Sequence, residues 1–323
     1  FLGFIDGTSR VSMSDNGRQL LILVPGGKGY IYDETSSPEL VEITDPDFKA
    51  NGDPQHVVFL DGYFVITTDT KKFIISSLND GLSYNALDFG TAEADPDSIV
   101  RPVILNNHLF ILGTQTTEVF RNVGGTGFPF QRLNGFLFDK GCSSAFTVSR
   151  SDNSFFMIGK GENELNSIWL FTGNSYRKIA TPAVDRVIQS KTVGEISGAF
   201  SWNYSENGSF FLGVTVGAST LVYDLSSNLW HTRSSIINNV ESNFRVSCIA
   251  PAYNRLLVGD VADGRIGVMS LDNYKEYEEK IVRVVSSPNL SVDLSNAKVS
   301  MIEVTIESGV GNDDEKAPLI AMD

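Results

Sequence analysis

The side chains best able to do chemistry are few and far apart. His56, His108 and His231 each stand alone. None has a second histidine four residues away, the spacing that puts two imidazoles on one helix face around zinc. Gly141-Cys142-Ser143-Ser144-Ala145 loosely echoes a nucleophile elbow. That motif needs a strand turning sharply into a helix in an α/β sheet, and apolar runs that read as strands surround this copy. Pro25 to Gly29 has the glycines and lysine of a phosphate loop but lacks the Ser or Thr and the helix that would follow them. Gly124-Gly125-Thr126-Gly127 misses the dinucleotide spacing. Hairpin turns account for both glycine clusters.

Two acidic clusters invite comparison with calcium loops. Asp45-Pro46-Asp47 with Asn51-Gly52-Asp53 does not follow EF-hand spacing, and Asp95-Pro96-Asp97 is shorter still. Asp, Asn, Pro and Gly in such runs are what turns require. Ser77 to Tyr84 resembles the Asp-box turn of sialidase-like propellers, with Asn79 in place of the Asp and Tyr84 in place of the Trp. A glycosidase also needs two carboxylates facing one bond, a pairing that the sequence of a propeller does not display. Asn203, Asn207 and Asn289 begin Asn-x-Ser triplets of the kind chance produces in an Asn- and Ser-rich chain. Cys142 and Cys248 are too few for a disulfide framework; they leave room for one bridge and otherwise read as small buried hydrophobes. The expectation is therefore of no catalytic, cofactor-binding or metal-binding residues, no cofactor, and a protein that is not an enzyme.

What these residues sit on is legible from a repeat. An apolar run, a polar turn and a second apolar run recur six times. The pairs are Leu20–Val24 with Tyr30–Tyr32, Tyr63–Ile66 with Phe73–Ile75, Leu109–Leu112 with Val119–Phe120, Phe155–Ile158 with Ile168–Phe171, Phe210–Leu212 with Leu221–Tyr223, and Leu256–Val258 with Ile266–Met269. Successive onsets are 43, 46, 46, 55 and 46 residues apart. A period near 45 is that of a four-stranded propeller blade, and the Phe, Tyr, Ile and Val content suits pleated, half-buried surfaces. One hairpin alone would not hold in water; stacked against neighbours it buries its faces. The fold predicted is an all-β propeller of about six blades over residues 1–272.

The long interval has a local cause. Thr181-Pro182 followed by apolar residues at 183, 184, 187 and 188 predicts a capped helix between the fourth and fifth units. After Asp272 the pattern changes to a polar, acidic stretch, then to apolar runs at 281–285 and 299–307 and a solvated loop at 309–316. Residues 273–323 read as a linker and the start of an additional C-terminal β domain, sandwich-like, or as strands that complete the ring. The opening Phe-Leu-Gly-Phe reads as part of a longer polypeptide and not as a signal peptide.

Composition narrows the partners. The chain has 25 Lys and Arg against 39 Asp and Glu, a formal charge of −14, and no basic cluster denser than Lys71-Lys72. Nucleic-acid binders present basic patches to the phosphates, so no sequence-specific nucleic-acid binding is expected. No apolar run approaches the roughly 20 residues of a spanning helix, so no membrane is expected either.

Along most of its length, and in order, the chain resembles the packaged-DNA stabilisation proteins of short-tailed double-stranded DNA phages, also called tail accessory factors or tail hub proteins. The resemblance is carried by Arg10-Val11-Ser12-Met13, Tyr30-Ile31-Tyr32-Asp33, Ser83-Tyr84, Asp95-Pro96-Asp97, and Leu112 through Glu118 to Phe120. It continues through Lys140-Gly141, Leu221 to Asp224 followed by Trp230, and Gly259-Asp260. Their order and spacing matter more than any one of them. The resemblance implies a structural virion protein of the phage tail, assembled in the host cytoplasm. It implies a homo-oligomeric ring, a hexamer, that closes the portal channel to retain packaged DNA. Its partners would be the portal or head-to-tail adaptor, the tail needle, and the tailspike or fibre. No site residues carry over. A host-glycan-binding or glycan-cleaving propeller of a phage tail is the alternative, and a scaffold recruiting cellular proteins is a third.

Overall fold

The apolar runs at the head of each repeat become the second strands of six antiparallel sheets. In the computed structural model, which describes residues 2–284 and 286 except 96, 126, 152, 272 and 274, the sheets follow one another as propeller blades. Blade one is Ser12–Asp15, Leu20–Leu23, Gly29–Tyr32 and Leu40–Glu42; blade two is Pro54–Leu60, Tyr63–Thr68, Lys72–Ser77 and Asp80–Thr91. Blade three is Ile99–Leu105, His108–Gly113, Thr117–Asn122 and Phe130–Phe138. In blade four, Gly141–Cys142 and Ser149–Ser151 both pair with Ser154–Lys160, which continues to Ser167–Thr172 and Ser175–Lys178. Blade five has Phe200–Glu206, Ser209–Val216, Ser219–Asp224, Leu229–Ile237 and Val240–Asn243. Blade six has, among the described residues, the three strands Val246–Ala252, Arg255–Asp260 and Ile266–Met269.

The period of two along a strand distributes each blade between two cores. In Ser154–Lys160, Phe155 and Met157 join the core shared with blade three, and Phe156 and Ile158 join the core shared with blade five. A strand buried on both faces reads as an unbroken apolar run, and this is why the second strands dominate the sequence signal. The same arrangement gives apolar cores between blades one and two, two and three, and five and six.

The expected helix is Pro182–Gln189, capped by the Thr181 side chain, and it sends Val184 and Ile188 into the core between blades four and five. A second helix, Val193–Ser197, follows on a capping box made by Thr192 and Glu195 and adds Ile196 to that core. Beyond blade six, a two-stranded hairpin, Lys275–Glu276 with Glu279–Lys280, precedes residues 281–284. Among the described residues, Val282 and Val284 are exposed. The run at 299–307, the loop at 309–316 and the sandwich-like C-terminal domain lie outside the described residues.

Candidate functional site

Each blade is entered through its first strand; the first strands of blades one, two and three touch in turn, as do those of blades four, five and six. Residues at their N-terminal ends therefore meet at one mouth of the ring. Arg10 lies with its guanidinium 3.6 Å from the centre of the Phe200 ring, and its two terminal nitrogens donate to the Ser247 carbonyl at 3.2 Å and hydroxyl at 3.0 Å. Blade four inserts the short turn Ala145–Thr147 into its broken first strand. That insertion brings Phe146 edge-on to His56 of blade two, 5.1 Å away, and against the core around Phe200. Arg101 of blade three donates to the Ala145 carbonyl at 2.8 Å. Burial, reinforced by Arg101, pushes His56 down to about 3, so its ring is neutral at ordinary pH. His56 Nδ1 and Arg101 Nε have no protein partner among the described residues.

The other residues singled out for chemistry are dispersed. His108 Nδ1 pairs with the Asn106 carbonyl at 2.8 Å in a hairpin turn, and His231 Nε2 accepts from Arg233 Nε at 3.3 Å in blade five. Cys142 is buried and its thiol donates to the Ser144 carbonyl at 3.1 Å; burial pushes it up to about 11 and leaves it a poor nucleophile. Cys248, expected to be buried, is exposed. Ser144 donates its hydroxyl to the Ala199 carbonyl at 2.9 Å, so the elbow-like run ties blade four to blade five. The turn at Pro25 to Gly29 closes with Val24 N–H donating to the Lys28 carbonyl at 2.9 Å. The Asp-box-like turn crosses from the third to the fourth strand of blade two, with Asn79 at a φ of 56°. Asn203 donates its amide to Ser149 and to the Arg150 carbonyl.

The acidic clusters are internal ties. Asp45 accepts from Asp47 N–H at 2.9 Å and from Tyr84 N–H at 2.9 Å, and Asp47 accepts from Ala86 N–H at 3.2 Å. Together they pin the bulged outer strand of blade two to the turn that precedes that blade. Asp97 accepts from the backbone of Gln115 and Thr116 at 2.7 and 3.0 Å. No cluster of three or more metal-ligating side chains occurs among the described residues.

The same holds for residues that carried the resemblance. Asp33, buried at the end of a strand, takes Arg18 at 3.0 Å and both the N–H and hydroxyl of Thr35. Glu118, also buried, accepts from Ala94 N–H at 2.9 Å. Lys140 sits between Asp139 at 3.2 Å and Glu164 at 3.0 Å, with the Trp169 ring beside it. Burial opposes its charge, but the two carboxylates outweigh burial and hold Lys140 above its ordinary value. Gly141 follows because a Cβ there would stand 2.2 Å from the Gln115 backbone nitrogen. Asp260, inside blade six, pairs with the buried Arg245 at 2.7 Å. Each of these motif residues binds groups of its own fold.

The outer surface of blade six is different. A cavity of about 760 Å³ opens between blades five and six. Ile236, Phe244 and Met269 line it from the blades, Tyr277 from the C-terminal hairpin, and Val282 and Val284 from the segment beyond. Sequence reasoning missed it because it forms from the ends of elements, where no periodicity marks an unfilled space. No helix among the described residues is long and apolar enough to cross a membrane.

Residues 1–274 match the family model described as Phage_stabilise, Bacteriophage P22 Gp10, beta-propeller. No curated protein matches the chain. Similar solved structures include the computationally designed Ika8 protein, 11% identical over 80% of this chain and 70% of that one, with a TM-score of 0.47. The N-terminal domain of Nup159 is 10% identical over 80% of this chain and 75% of that one, with a TM-score of 0.45. Dihydro-heme d1 dehydrogenase NirN in complex with DHE is 12% identical over 87% of this chain and 56% of that one, with a TM-score of 0.49.

Proposed function

The chain belongs to the phage stabilisation family of β-propellers, and on that premise we propose that it is a hub subunit of the phage tail. The family is structural, and this chain is a structural protein of a phage virion. In our reading, copies form a closed homo-oligomeric ring, a hexamer, that assembles in the host cytoplasm beneath the portal and its head-to-tail adaptor. The ring closes the channel after packaging and gives the tail needle and tailspikes a place to attach. Residues 1–272 supply the propeller.

The observation that carries this reading is the use of the family motif residues. Asp33, Glu118, Lys140 and Asp260 each bind protein groups of their own fold. A frame stiffened in this way suits a part that transmits and resists force. The charge agrees with a channel role. Each chain carries −14, and a ring of copies multiplies it, so an acidic wall would let DNA slide past without adhering.

Particles assembled without this protein are expected to package DNA and then lose it, read as loss of nuclease-protected genome after purification. Full retention in such particles would overturn the hub reading. Incubation with host polysaccharide is expected to release no sugar; saccharide release would favour the glycan-cleaving alternative.

A further inference from the structure

We propose that the axial mouth of the propeller binds one small oxyanion, of the phosphate or carboxylate class, through the guanidinium groups of Arg10 and Arg101. The entry of each blade contributes one side chain to that mouth. Arg10 precedes Ser12–Asp15, and His56 and Arg101 lie in the first strands of blades two and three. Phe146 lies in the turn inserted into blade four, and Phe200 and Ser247 in the first strands of blades five and six. They form a connected set. Phe146 meets His56 edge-on and packs against the core around Phe200. Phe200 carries Arg10, Arg10 reaches Ser247, and Arg101 reaches Ala145 beside Phe146. Two cations, an imidazole, two aromatic rings and a hydroxyl thus come together, and none of the six side chains is acidic.

Elsewhere the fold neutralises its sheltered cations. Arg245 pairs with Asp260 at 2.7 Å, and Lys140 with Glu164 at 3.0 Å and Asp139 at 3.2 Å. A charge taken out of water without a counter-charge is costly, so such groups are paired as a rule. Arg10 and Arg101 are both partly buried, yet among the described residues their ligands are the uncharged Ser247 and the Ala145 carbonyl. Neither takes part in an ion pair among those residues. Burial lowers both guanidinium groups from their ordinary value, and the group acting the other way is the Cys248 thiol at Arg10 and the Cys142 thiol at Arg101.

The unused donors define the ligand. A guanidinium offers five N–H groups in a rigid fork. Arg101 spends one on Ala145, and Arg10 spends its bonds on Ser247 alone. Phe200 supports the Arg10 guanidinium 3.6 Å from its ring centre, and stacking of this kind leaves the edges of the fork for oxygen ligands. His56 is 5% exposed, and its Nδ1 and the Arg101 Nε have no protein partner among the described residues. An oxyanion supplies both missing features, oxygens that accept in the plane of a fork and a charge opposite to it. Its size is limited by Phe146, which crosses from blade four to touch His56 of blade two. That contact obstructs the axis, so a small ion fits the mouth and a polynucleotide threaded through it does not.

This inference rests on the inner layer of one propeller and not on the hub reading. It is tested on the purified 323-residue chain by calorimetric titration with inorganic phosphate and, separately, with acetate, in a buffer free of other oxyanions. One anion per chain is expected, and the tighter of the two probes identifies the class of the ligand. Arg10→Gln and Arg101→Gln are each expected to weaken binding about ten-fold or more, the loss that goes with one charge-assisted hydrogen bond. Arg177→Gln, at an exposed position of blade four, should leave the affinity unchanged. Binding of neither probe overturns the proposal. Binding that survives both axial substitutions, or that Arg177→Gln weakens as much, overturns it as well. Should the axial variants fail to fold, melting of the unmodified chain decides. A saturable rise in Tm with millimolar phosphate or acetate, relative to chloride at equal ionic strength, supports the site, and an unchanged Tm refutes it.

Discussion

Blades four and six begin from the same kind of hairpin and meet different surroundings. In blade four, Phe155 and Phe171 stack with ring centres 4.7 Å apart, and Phe110 of blade three packs edge-on to Phe155 at 5.6 Å. Both faces of Ser154–Lys160 are covered by neighbouring blades. In blade six, the corresponding strand Arg255–Asp260 is covered on one face, and its central residues are only half-buried. A polar lock, Arg245 with Asp260, does there what stacked rings do in blade four. Such a pair holds geometry, but it repays little of the cost of taking two charges out of water. A blade is thus only as stable as the two blades beside it.

The largest expected effect tests that statement. Phe155→Ala removes a fully buried ring from a packed stack and is expected to cost about 3–5 kcal/mol. Val258→Ala, at the matching strand of blade six, is expected to cost about 1 kcal/mol, since its smaller side chain is only partly buried. Urea unfolding of both variants measures the difference. Equal losses would mean that the two blades are equally supported.

The second test moves to the axis, where blades two, three and four meet at His56, Arg101 and Phe146. His56 is held neutral down to about 3, against an ordinary value of 6.5. Between those values the unfolded chain binds a proton that the folded chain refuses, so stability falls as pH drops through that window. At pH 5 the loss is about 2 kcal/mol relative to neutral pH. His56→Gln should flatten this part of the pH–stability curve, read from urea midpoints between pH 7 and 4. An unchanged slope would assign the acid sensitivity to other groups.

How much of this was legible in sequence follows from the same comparison. The six onsets fell on or beside the second strands of the blades because those strands are doubly covered and read as unbroken apolar runs. The first and fourth strands were not legible. Asp80–Thr91 alternates weakly and shifts register, and the first strand of blade four is split by a turn. Thr181-Pro182 announced its helix through capping chemistry. The shorter Val193–Ser197 escaped, although Thr192 and Glu195 carry the capping-box spacing, because five residues hold too little apolar periodicity to notice. The acidic clusters were read as turns, and the structure adds what they hold, as when Asp45 reaches Tyr84. The axial cluster was invisible, since Arg10, His56, Arg101 and Phe146 are brought together only by ring closure.

The smallest expected effect compares the third strands of the same two blades. Ile168, in blade four, is buried, and Ile266, in blade six, is largely exposed. Ile266→Ala is expected to cost only a few tenths of a kcal/mol, as exposed substitutions do. Ile168→Ala empties a packed site and is expected to cost about 2–5 kcal/mol. Thermal or urea unfolding of both variants measures the difference. A cost near that of Ile168→Ala at position 266 would mean that this face of blade six is covered as fully as the matching face of blade four, because only a side chain sheltered by packed neighbours loses that much on truncation.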